Sequence, residues 1–214
     1  MSSARATAQA EISHRRVLKI ALPIVLSNAT VPILGAVDVG VVGQMGEAAP
    51  IGAVGLGAII LTTIYWIFGF LRMGTVGLVG QAEGAGDKAE VSAWLTRALV
   101  VALAGGFMLI VLQPLIFWAA LQLAPASDEV ESLARQYLTI RIWTAPAAIA
   151  VYALTGWLVA MEKTAGVFWV QLTMNGVNIL LDLLFVLVFD WGVPGVAIAT
   201  VIAEITGAAL GLWF

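Results

Sequence analysis

Six apolar stretches, each of more than 20 residues, take up almost the whole chain, at 20–43, 51–80, 93–123, 133–160, 167–189 and 193–214. About 20 apolar residues carry a helix across the hydrocarbon core of a bilayer. The segments between them, at 46–50, 81–90, 125–131, 161–166 and 190–194, are short and polar or rich in Gly and Pro. Backbone N–H and C=O groups inside a bilayer must be satisfied within the protein, which leaves helices or a closed barrel. Runs of this length are helical, so the fold class is an all-α polytopic membrane protein, a six-transmembrane-helix bundle. Composition agrees: 61% of residues are apolar and 11% are charged, about half the usual charged share of a soluble domain. Soluble enzyme classes are thereby largely excluded.

Other classes fall with the residue counts. The net charge is −3, which offers no basic footprint for nucleic acid. The chain has no cysteine, so disulfides, thiolate metal sites and thiol nucleophiles are absent. The single histidine, His14, lies in the N-terminal tail, so no histidine triad or metal site is expected within the membrane. His14-Arg15-Arg16 before an apolar run has the look of a twin-arginine signal. That run is too long for a signal peptide and five more follow it, so it reads as a retained first helix.

Basic residues orient the bundle. Arg5, Arg15, Arg16 and Lys19 precede the first stretch, Lys88 and Arg97 mark the second turn, and Lys163 lies in the fourth. The first, third and fifth turns carry Glu47, the Asp128, Glu129 and Glu131 cluster, and Asp190. This places a tail over 1–16 in the cytoplasm and a transmembrane lobe over 17–214, in the inner (plasma) membrane. The last stretch stops at Phe214 without a polar flank, so a second lobe is expected beyond it, and this chain alone is not expected to transport.

Ionisable side chains at mid-bilayer are costly and are functional candidates by default. Asp38, Asp182 and Glu204 lie inside stretches. Asp38 is eight residues before Gly46, Asp182 eight before Asp190, and Thr200 eight after Gly192. At about 1.5 Å per residue each sits about 12 Å below the outer turn. Asn178 is four residues before Asp182 and shares its face. Glu204 lies one turn deeper than Thr200 and is a candidate cavity acid. Such a level of carboxylates and neutral oxygens is what a proton or Na+ site needs. Pro32, six residues before Asp38, offers a bend near that acid. Arg72 is the one deep basic candidate in this reading and is expected to snorkel toward the cytoplasm. The pairs and runs Gly52/Gly55, Gly74/Gly77/Gly80 and Gly105/Gly106 are expected to serve close helix packing.

The ordered set of residues is a familiar one. Ala21-Leu22-Pro23 opens the first helix, which also carries Pro32 and Asp38. Leu71-Arg72-Met73-Gly74, Gln81 and Gly84-Ala85-Gly86-Asp87 follow, then Asn178 with Asp182, and Gly192 to Gly195 with Ala199-Thr200. From Val17 to Phe214 the chain resembles the N-terminal lobe of the multidrug and toxic compound extrusion (MATE) family, DinF-like branch. The resemblance implies one lobe of a twelve-helix transporter. It implies export of small cationic or amphipathic compounds in exchange for H+ or Na+, with no cofactor beyond that ion. It implies Asp38 as the first-helix acid, Asn178, Asp182 and Thr200 as the ion cluster, and Tyr137 as a further member of that network. Glu204 is not assigned to the family pattern.

Two other readings compete. A lipid or oligosaccharide-lipid flippase of the same superfamily would need basic residues lining its cavity, and only Arg72 is offered. An intramembrane enzyme would need acids, His or Arg at an interface, whereas these acids lie deep. The protein is therefore expected not to be an enzyme.

Overall fold

The computed structural model describes residues 14–214. The helices are α1 (His14–Gly43), α2 (Ala48–Trp66), α3 (Gly69–Gly84), α4 (Lys88–Leu123), α5 (Asp128–Arg141), α6 (Ala145–Ala160), α7 (Thr164–Asp182) and α8 (Gly192–Trp213). Among the described residues five segments are long and apolar enough to cross a membrane: Ala48–Gly84, Lys88–Leu123, Asp128–Ala160, Thr164–Val188 and Gly192–Trp213. The 30-residue α1 precedes them, so each expected stretch has its own helical segment. The proposed tail falls mostly on residues 1–13, outside the described residues. His14 opens α1, which continues as helix past Pro32.

Three of the spans change their helical winding midway. The second is interrupted at Ile67 and Phe68, where N–H groups reach carbonyls three residues back. The fourth tightens into a 3₁₀ turn over Ile142–Thr144, just before Pro146. Proline cannot donate a hydrogen bond to the preceding turn. The fifth widens into a π-helical segment over Leu183–Val188, directly after Asp182. Such segments recur at functional sites. None of these changes breaks the hydropathy pattern, so a reading by apolar length passes over all of them.

Two of the turns are capped by their own side chains. Asp87 accepts from the Glu90 N–H at 3.0 Å at the start of α4, and Ser127 accepts from the Val130 N–H at 3.4 Å at the start of α5. Asp128, Glu129 and Glu131 fill the first turn of α5, and Arg141 the last, the polarity that complements a helix dipole.

Between helices in lipid there is little hydrophobic driving force, so close packing does the work. Helix α7 lies between α1 and α8, while α6 packs against α3, α4 and α8. A Cβ on Gly106 of α4 would collide with the backbone of Pro146 on α6, and one on Gly105 with the Phe68 ring. Gly55, Gly74, Gly77 and Gly80 meet nothing within 4 Å. The expectation of close packing therefore needs correction at these four positions: they lie on faces turned away from the described bundle.

Candidate functional site

The middle of the lobe holds two polar clusters, joined along α8. Helix α7 supplies Asn178 and Asp182, both 0% exposed, one turn apart. The Asn178 Nδ2 group donates to Asp182 Oδ2 at 3.0 Å and to Thr200 Oγ1 on α8 at 3.3 Å. The Thr200 hydroxyl donates in turn to the Val196 carbonyl at 3.0 Å. Helix α1 brings Asp38, whose carboxyl is a hydrogen-bonding neighbour of Asp182. Two carboxyl groups in contact in a low-dielectric site are disfavoured as bare charges together, and uptake of protons or of a cation relieves this.

Three buried oxygens here have no hydrogen-bond partner: Asp38 Oδ1, Asn178 Oδ1 and Asp182 Oδ1. Leaving a buried acceptor unsatisfied is unfavourable. These are hard oxygen atoms from two carboxylates and one amide, with a hydroxyl beside them, a donor set for a proton or a small hard cation. Among the described residues no group of three or more His, Cys, Asp or Glu could hold a metal ion. The π-helical segment begins at the residue after Asp182, so the backbone beyond the acid departs from regular α-helix.

The second cluster was not read from the sequence. Arg141, at the end of α5, is buried and pairs with Glu204 of α8 in two places, Nη1 to Oε2 at 2.8 Å and Nη2 to Oε1 at 3.0 Å. Thr144, at the other end of the 3₁₀ turn, donates to Glu204 Oε2 at 2.6 Å. Arg72 is therefore not the one deep basic residue. The depth arithmetic used for the acids would have put Arg141 and Glu204 at nearly one level, though not shown them facing each other. Arg141 lies 13 residues into its span from Asp128 and Glu204 lies 12 into its own from Gly192, about 20 and 18 Å respectively.

Tyr137 is 2% exposed, and the Arg141 guanidinium carbon lies 5.9 Å from its ring centroid. Its ring fills the space above Gly57, where a Cβ would clash with it. It stands beside the arginine rather than hydrogen-bonded to Asn178 or Asp182. Glu204, expected as a cavity acid, is paired instead with Arg141 and Thr144. Arg72 is half-buried beside the interruption of the second span, lining a cavity of about 560 Å³ with Trp66, Phe70, Met73 and Tyr152.

Comparison with known proteins gives one consistent result. The MatE family model matches residues 23–184. The chain is 36% identical over 200 residues to the DNA damage-inducible protein F of Escherichia coli K12, covering 94% of this chain and 44% of that protein. It is 27% identical to a probable multidrug resistance protein NorM of Rhizobium meliloti, covering 94% and 43%. A solved outward-facing multidrug resistance MATE transporter superposes with a TM-score of 0.85 at 20% identity, over 93% of this chain and 44% of that one. The chain thus spans a little under half the length of the relatives it matches.

Proposed function

The chain belongs to the MatE family, and from that premise we propose that it is the ion-coupling lobe of a secondary antiporter. The protein exports small cationic or amphipathic compounds in exchange for H+ or Na+. It sits in the inner (plasma) membrane with its N-terminus in the cytoplasm and works against a second six-helix lobe. The relatives' greater length supports that second lobe.

One observation carries the reading: Asp38, Asn178 and Asp182 each leave a buried oxygen without a partner, and Asp182 is a hydrogen-bonding neighbour of both of the others. In the cycle proposed, the coupling ion enters from outside and neutralises the two carboxyl groups. The ion drives the change of access only through its different affinity for the two states of the lobe. Loading stabilises the form with low affinity for substrate, and release of the ion to the cytoplasm restores the other. The Na+ version uses Asn178 Oδ1 and Thr200 Oγ1 as neutral ligands; the H+ version leaves the shared proton between Asp38 and Asp182.

The test is gradient-driven dye efflux from proteoliposomes holding the complete natural protein. Asp38→Asn and Asp182→Asn are expected to abolish the response to an imposed ion gradient while the protein still folds. Efflux at the unmodified rate in both variants would reject the ion site. A flippase gains no support from Arg141, because Glu204 already occupies its guanidinium.

A further inference from the structure

The exchange proposed above makes no use of the Arg141–Glu204 pair. Stability does not account for the pair either, since replacing a buried ion pair by packed apolar residues is often neutral or stabilising. Its surroundings point to a different role. Glu204 follows Thr200 by four residues on α8, so both stand on one face, one turn apart. Arg141 lies within electrostatic reach of Asp38 and Asp182 as well as Glu204. One guanidinium thus has three carboxyl groups about it, and two of these belong to the ion site. The other titratable groups facing the pair are Tyr65 of α2, Tyr137 of α5 and Tyr152 of α6.

A buried guanidinium with no acid of its own is drawn to the nearest carboxylate. Here the other carboxyl groups within its electrostatic reach are Asp38 and Asp182, the positions the coupling ion must occupy. Glu204 prevents this by holding Arg141 at two points, and Thr144 holds Glu204 from the far end of the same 3₁₀ turn. We propose that Glu204 is a positioning residue that engages Arg141 and so keeps an internal cation from competing with the coupling ion at Asp38 and Asp182. The proposal rests on the ion-site reading given above.

The experiment measures the ion concentration for half-maximal dye efflux by the complete natural protein in proteoliposomes. Na+ is varied at fixed pH, and protons are varied without Na+. Freeing the arginine with Glu204→Gln should weaken apparent ion affinity about tenfold, and removing it with Arg141→Gln should strengthen affinity by a similar factor, as expected for one unit charge acting across a partly screened interior. The double variant R141Q/E204Q should return to within about threefold of the unmodified protein. A merely structural pair would shift both single variants the same way. That outcome, an unchanged E204Q, or a double variant as weak as E204Q overturns the proposal. If one single variant does not fold, the other compared with the double variant decides. If neither folds, the double variant decides alone, and a loss beyond threefold overturns the proposal. Asp182→Asn is run alongside. Unmodified ion dependence in D182N overturns the ion site and this proposal with it, whereas an ion-blind D182N beside an unmodified E204Q overturns this proposal alone.

Discussion

Thr200 and Glu204 stand one turn apart on α8, and each is that helix's member of a different buried polar cluster: Thr200 accepts from Asn178 at 3.3 Å, and Glu204 pairs with Arg141 at 2.8 Å. A single turn of helix therefore links the acids of α1 and α7 to the 3₁₀ turn of the fourth span. Any rotation or tilt of α8 is felt at both places.

The Arg141–Glu204 pair gives a stability prediction that is independent of transport. Glu204→Ala leaves a buried guanidinium uncompensated and is expected to cost about 3–5 kcal/mol, whereas changing both partners to neutral residues of similar size should cost much less. Thermal unfolding in detergent of the two variants checks this. Equal losses would show that the charges do not interact.

Removing the Thr200 hydroxyl tests the neutral oxygen of the proposed ion site. Thr200→Val keeps the shape and deletes one acceptor of the Asn178 amide. With about 1 kcal/mol per such hydrogen bond, ion affinity should fall roughly fivefold while the acids still respond to a gradient. An ion titration of efflux reads the shift, and loss of folding instead would mark Thr200 as structural.

Topology is open to labelling, because the chain has no cysteine of its own. Ser127 caps α5, so its exposed neighbour Ala126 is the better outer probe, with Ser92 as the inner one. Ala126→Cys should react with an impermeant thiol reagent added to intact cells, and Ser92→Cys should react only after the membrane is opened. The reverse pattern rejects the orientation.

The glycines separate into two kinds. Gly106→Leu drives a side chain into the Pro146 backbone and should cost at least about 1–3 kcal/mol through overpacking. Gly77→Ala meets open space within this lobe and should fold as the parent does. Yield of monodisperse protein on size exclusion distinguishes the two, and equal yields would mean that the α4–α6 contact is not close.

Local physics determined much of this protein in the sequence. A span is set by the apolar length of its own residues, so all six stretches correspond to helices without reference to neighbours. Depth is also local, at a fixed rise per residue, and it put Asp38, Asp182 and Thr200 at one level before any fold was known. The same arithmetic applied to basic residues would have put Arg141 at nearly the depth of Glu204. Tertiary structure alone decided the rest. Whether Glu204 faces a cavity or an arginine depends on how α8 is rotated against α5, and hydropathy carries no rotational information in an almost wholly apolar helix. The interruption at Ile67–Phe68, the 3₁₀ turn at Ile142–Thr144 and the π segment after Asp182 leave apolar length unchanged, so they too are invisible to it. Gly74 and Gly106 are identical in sequence terms, yet only Gly106 has a neighbouring backbone pressed against it, because close approach is a property of two helices and not of one.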